Sequence, residues 1–145
     1  NHDISIRGPE RRGMLHCIVQ PPGRAVPLHA ICVHLGLQES HRQQQLRLAC
    51  DLINSLPAHE PVVMAGDFND WRGRAHRVLR DGAGLSEVFL QSQGHAQRTF
   101  PASMPVLALD RIYVRDATVN SPLILPKKPW DRLSDHAPLA AEISI

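Results

Sequence analysis

Apolar and polar positions along the chain change period several times, and each change marks an element. Asp3-Ile4-Ser5-Ile6 alternates as an edge strand would, and Arg7-Gly8-Pro9 breaks it. Met14 to Gln20 and Pro27 to Leu35 read as two more strands, joined through Pro21-Pro22-Gly23 as a hairpin with a short loop. From Glu39 to Leu56 the period becomes helical: Leu46, Ala49, Ile53 and Leu56 share one side, and Arg42, Gln43, Gln44 and Arg47 take the other. Pro57 helps to end that helix, and Pro61 opens the run Val62-Val63-Met64-Ala65, short and apolar enough for a buried strand. Arg74 to Asp81 is a short helix stopped by Gly82-Ala83-Gly84, while Leu85 to Leu90 fits either state. Gln91 to Pro105 is polar and punctuated, a long loop of the kind that is more often functional than idle. Val106 to Arg115 is a strand with Asp110 embedded in it. Ala117 to Leu125 is a weaker strand, Pro126 to Arg132 a loop and Pro138 to Ile145 a last strand. Hairpin strands with interspersed helices predict one mixed α/β layered domain over residues 1–145.

Composition narrows this only a little. Hydrophobic residues make up 43% and charged residues 21%, ordinary for a globular chain. The formal charge of +2 is too small to argue by itself for nucleic acid or a membrane surface. No stretch has the ~20 apolar residues of a transmembrane helix, and no signal peptide is visible. The three cysteines, Cys17, Cys32 and Cys50, are widely spaced without a CxxC pair, which argues against structural zinc. They read as small buried thiols, reduced, in a cytoplasmic protein. Most of the nine histidines read as surface residues.

Chemistry concentrates at predicted strand ends. Gly66 lets the chain turn where the Val62 strand stops, and Asp67 and Asn69 follow at its C-terminal mouth. In an extended segment, residues two apart point the same way, so a carboxylate and an amide could meet at one hard cation or one attacking water. Taken alone, the pair is also what an ordinary capped turn would contain. Asp110 needs a partner inside its apolar strand. Its neighbour Arg111 should face the other way, which leaves His136, in Ser134-Asp135-His136, as the imidazole a buried carboxylate would orient. His34 closes the third strand at a Gly-bearing turn. Two histidines, three aspartates and an asparagine at strand mouths, with no serine or cysteine nucleophile motif and no Gly-rich phosphate loop, suit metal-assisted attack by water on a phosphoester. Arg72, Arg74, Arg77, Arg80 and His76 form a solvated helix face that could also steer phosphate, and Trp71, Phe100 and Trp130 are scarce aromatics assigned to packing.

Gly66-Asp67-Phe68-Asn69, Leu109-Asp110-Arg111-Ile112 and Ser134-Asp135-His136, in that order, resemble the endonuclease/exonuclease/phosphatase superfamily. His34-Leu35-Gly36-Leu37 with Arg42 and Gln45, and Glu10-Arg11-Arg12-Gly13, resemble its bacterial members. The resemblance implies the C-terminal half of a four-layer α/β/β/α sandwich with a mixed, mostly antiparallel sheet. It implies a metal-dependent phosphoester hydrolase, a phosphodiesterase, nuclease or phosphatase, using Mg²⁺, with Mn²⁺ as the alternative. By resemblance Asp67 and Asn69 position the water and phosphate, and His136, oriented by Asp110, is the base or phosphate contact. Asp135 is then a metal ligand, with Asp67 and Asn69 beside it, and His34 offsets charge on the phosphoryl group. The family's earlier half, with an Asn and a Glu that complete the metal site, has no counterpart here, and Glu10 matches a structural turn instead. The implied substrates are a small phosphoester, a phospholipid head group or DNA. The isolated chain is expected to hydrolyse them poorly and to self-associate through an uncovered sheet face. The rival expectation is a non-catalytic interaction scaffold with the same fold.

Overall fold

The computed structural model describes residues 1–8 and 10–145. Strands β1 (His2–Asp3), β2 (Gly13–Val19), β3 (Leu28–His34), β4 (Val62–Asp67), β5 (Ser86–Glu87) and β6 (Asp110–Arg115) form one sheet in the order β1-β2-β3-β4-β6-β5. Only β3 and β4 run parallel; every other adjacent pair is antiparallel. The parallel pair needs a crossover, which helix α1 (Glu39–Ser55) supplies. It lies on the same face as α2 (Arg74–Ala83), and Leu46, Ala49 and Ile53 from α1 with Ala75 and Leu79 from α2 close over Ile31, Val33, Met64 and Tyr113. A second sheet, β7 (Thr118–Leu123) with β8 (Ala140–Ser144), packs on the other face. There Val119, Leu139, Ala141 and Ile143 meet Val63, Ile112 and Val114, together with the fully buried Val88 and Phe89 of α3 (Val88–Gln93). Helix layer, large sheet and small sheet are thus the mixed α/β layering expected.

The small sheet covers only the β4–β6 side of that second face. Over β2 and β3 the face stays open, so Leu15, Cys17, Val19 and Cys32 are exposed. This corrects the expectation of three buried thiols: only Cys50, on the inner side of α1, is buried. Strand position alone could not distinguish a covered face from an open one.

Local differences have local causes. The first strand stops at Asp3, whose Oδ1 accepts from the Ser5 amide at 2.8 Å and turns the chain, sending Ile4 into the core. Arg7 and Gly8 form a bend after it, and the third residue of that predicted break, Pro9, lies outside the described residues. The hairpin loop covers 20–27, longer than the short turn expected. The ambiguous 85–90 stretch splits into β5 and α3, with the Glu87 carboxylate capping the helix at the Leu90 amide. The strand expected from Val106 begins only at Asp110, because Leu107 bridges back to Phe100 instead. The 126–132 loop contains one helical turn, α4 (Lys127–Trp130). Arg42, expected on the solvated side of α1, is 2% exposed; its guanidinium bonds the Gly36 and Leu37 carbonyls and Glu39, and stacks on Trp71 at 5.0 Å.

Candidate active site

Register builds the site. His34 is paired with Asp67 across the parallel β3–β4 ladder, and Asp67 with Asp110 across the antiparallel β4–β6 ladder. Three strands therefore set three polar side chains in one row, on the face away from the helices. His136 completes the row from the 134–137 segment. His34 Nε2 lies 3.5 Å from Asp67 Oδ2, and His136 Nδ1 bonds Asp110 Oδ2 at 2.7 Å. Across the sheet the order is His, Asp, Asp, His, so each of two adjacent carboxylates has an imidazole on its outer side. With Nδ1 of His136 engaged by Asp110, its Nε2 is left for chemistry.

The ring of His136 is partly buried, which opposes its charge, but Asp110's hydrogen bond and charge outweigh this, with Asp67 and Asp135 behind. Its pKa is held above the usual histidine value. Phe100 packs against the ring, centroid to centroid 5.0 Å. The segment bearing it is clipped to the 99–102 loop by two backbone bonds of 2.7 Å: the Ala137 amide donates to the Thr99 carbonyl and the Ala102 amide to the Asp135 carbonyl. The Thr99 hydroxyl, fully buried, accepts from the Leu109 and Asp110 amides at 3.3 Å. The long loop expected to be functional thus holds the Asp110–His136 pair in place.

Asn69 is placed differently from the i, i+2 expectation. The strand ends at Asp67, and Asn69 takes a left-handed φ of 49°. Asp67 Oδ1 accepts the Asn69 amide at 2.8 Å, and Asn69 Nδ2 donates to the Leu35 carbonyl at 2.9 Å. Asn69 is buried, tying the end of β4 to the end of β3. Asp135 is exposed, and its Oδ1 lies 3.5 Å from the Ser134 hydroxyl. Among the described residues, no group of three or more His, Cys, Asp or Glu side chains is arranged to hold a metal ion. Asp67 and Asp135 have the oxygen donors a hard cation prefers, but with Asn69 turned to Leu35 they do not make a shell by themselves.

Four supporting residues make contacts that the sequence alone does not give. Asp70 Oδ2 caps α2 at the Ala75 amide, 2.6 Å, and so anchors the turn after Asn69. Arg111, on the helix-side face, reaches the Asp70 carbonyl at 3.5 Å from beneath. Gln45 and Glu10 hold the turn after His34: Gln45 Oε1 accepts from the Gly36 amide at 2.9 Å and Glu10 Oε2 from the Leu37 amide at 3.4 Å. Glu10 is therefore structural, as its Glu-Arg-Arg-Gly setting suggested, and its place between two loops needed the fold to be seen.

Residues 3–136 match the profile of the endonuclease/exonuclease/phosphatase family, to which the chain therefore belongs. It is 50% identical over all 145 residues to the uncharacterized protein YbhP of Escherichia coli K12, and covers 57% of that protein. The chain thus spans little more than half the length of this relative. Among solved structures it superposes on a conserved protein of unknown function from Enterococcus faecalis V583, with TM-score 0.78, 24% identity, and coverage of 97% of this chain and 60% of the other. A mannosyl-6-phosphatase from Bacteroides thetaiotaomicron superposes with TM-score 0.74 at 14% identity, covering 97% and 60%. Among the described residues, no helix is long and apolar enough to cross a membrane.

Proposed function

We propose that this chain carries the carboxylate–imidazole part of a phosphoester hydrolase site, with Asp67, Asp110, His34 and His136 as its working groups and a water as nucleophile. The row of four side chains, with His136 held at 2.7 Å from Asp110, is the observation that supports it. Asp67 Oδ2 accepts a proton from the attacking water and aims it at phosphorus. His34 and His136, one on each side, meet the developing negative charge on the phosphoryl oxygens, and the bond from phosphorus to the leaving oxygen breaks as that oxygen takes the His136 proton. His136 keeps its proton above the pH at which a free imidazole loses it, because Asp110 favours the charged ring. Asn69 acts by holding Asp67 in place rather than by touching substrate.

A divalent cation, Mg²⁺ or Mn²⁺, belongs to this proposal for the longer proteins of the family, with Asp67 and Asp135 as two of its donors. No step above depends on it, and the 145-residue chain alone is expected to turn over poorly. The open face of β2 and β3, with Leu15 and Val19 nearly half exposed, is proposed as a self-association surface; light scattering against the 16.1 kDa monomer mass tests that.

The site is tested with inorganic phosphate titrated into the chain while the histidine ring protons are followed by NMR. His34 and His136 should shift with one common dissociation constant, and His59, just before the Val62 end of β4 and away from Asp67, should not. Uniform small shifts of every histidine, or none at His136, would sink the assignment.

A further inference from the structure

Three of the most exposed large apolar side chains lie in two loops beside the site. Met104 is 70%, Ile124 69% and Leu133 68% exposed, and Val106 and Trp130 stand with them. Isolated exposed apolar residues are ordinary. These are concentrated, and the core does not account for them. Loop 98–107 is bonded to the 134–137 segment through Ala102 and Ala137, and loop 123–133 runs directly into that segment. The same two loops carry Arg98, Lys127, Lys128 and Arg132 against a single acid, Asp131. Between them lies a groove of about 210 Å³ lined by Arg98, Pro105, Ile124, Lys127, Trp130 and Ala137, the last adjacent to His136.

We propose that these loops dock on an anionic lipid bilayer, so that the phosphoester reaching the His34–Asp67–Asp110–His136 row is one presented at a lipid surface. The proposal rests on the hydrolase reading for what is cleaved, but the docking stands on the loops alone. Aliphatic side chains interleaved with lysine and arginine match an interface whose outer layer is anionic and whose next layer is hydrocarbon. A single-stranded nucleic acid would call for aromatic stacking platforms along a basic track, whereas here Met104, Val106, Ile124 and Leu133 outnumber the one tryptophan. Lysine is depleted from dry protein–protein interfaces, and Lys127 and Lys128 lie between Ile124 and Leu133 in the chain, Lys127 lining the groove with Ile124. With a net charge of only +2 the molecule has no strong general field, so attachment needs the local cations and the apolar tips together.

The test is flotation of the 145-residue chain with phosphatidylcholine vesicles, with and without phosphatidylglycerol. Binding should require phosphatidylglycerol and weaken about 5-fold for each of Lys127→Ala and Lys128→Ala, from the ~1 kcal/mol a cation contributes at such a surface. It should vanish in Ile124→Asp with Leu133→Asp, whose exposed positions leave the fold intact by circular dichroism. Leu15→Ser with Val19→Ser, on the open sheet face, should bind unchanged. Absent binding, binding indifferent to phosphatidylglycerol, or binding lost only in the sheet-face variant would overturn the proposal. So would single-stranded DNA bound more tightly than vesicles and released by Lys127→Ala. His136→Ala should float as well as the unaltered chain; vesicle binding that persists while phosphate fails to shift His136 would remove the hydrolase reading and leave the docking.

Discussion

Gly66→Ala is the substitution whose cost can be worked most directly from the geometry. Gly66 has φ +142°, a region L side chains rarely adopt, and a Cβ there would lie 2.0 Å from the Val33 carbonyl oxygen, with Val33 N and C both at 3.0 Å. The obstruction is backbone on the adjacent strand β3, so no rotamer change relieves it. Backbone strain at such a position costs about 1–3 kcal/mol. Forcing a methyl into a packed contact adds about 1–3 kcal/mol. The sum, about 2–6 kcal/mol, is a large part of the about 5–15 kcal/mol that holds a domain together. At about 2–4 °C per kcal/mol for a domain near this size, the melting midpoint should fall by about 4–24 °C. Thermal unfolding followed by far-ultraviolet circular dichroism measures it, with Gly73→Ala as the control. Gly73 also has positive φ, +69°, but nothing within 4 Å of a built Cβ. It should lose only the about 1–2 kcal/mol of a left-handed L residue. If the two variants prove equally stable, the close β3–β4 approach is not what Gly66 is for.

Two further outcomes follow from the site and the open face. Asp110→Asn should lower the His136 pKa, read from its ring protons by NMR. Because that pKa is raised in the folded chain, the stabilisation it brings is complete below the ordinary histidine value of 6.5 and disappears as pH rises through the folded value. The difference in unfolding free energy between the unaltered chain and Asp110→Asn should therefore shrink from mildly acid to alkaline pH; a difference independent of pH would refute the coupling. A thiol reagent such as Ellman's should label Cys17 and Cys32 quickly in the native chain. Cys50, whose thiol pKa burial pushes up, should react only on unfolding, so three equal rates would contradict the packing described.

The sequence was most readable where a local pattern and a physical need coincide. Helix α1 and strands β3 and β4 follow from period, length and flanking prolines. Pairing of Asp110 with His136 followed from the cost of an acid in an apolar strand and from the opposite facing of Arg111. What stayed hidden depends on contacts distant in sequence. Arg42 reads as a surface charge on a helix until the Gly36 and Leu37 carbonyls are seen beneath it. Asn69 reads as a partner of Asp67 until Leu35, thirty-four residues earlier, claims its amide. Cys17 and Cys32 read as interior because a strand of small apolar residues does not say which of its faces another sheet will cover. Thr99 and Asp70 stood next to recognisable stretches, but nothing local marked one as a backbone anchor and the other as a helix cap.

The row across β3, β4 and β6 ties chemistry to strand alignment in an unforgiving way. Sliding β4 by one residue against its neighbours would turn Asp67 toward the helices and bring an uncharged residue opposite His34 and Asp110, since side chains alternate strictly between faces. The same slip would drive Met64 out of the interior and into water. Misaligned chains are thus rejected by their own core before they can become folded molecules with a broken polar row, and selection for a sound interior guards that row without extra machinery.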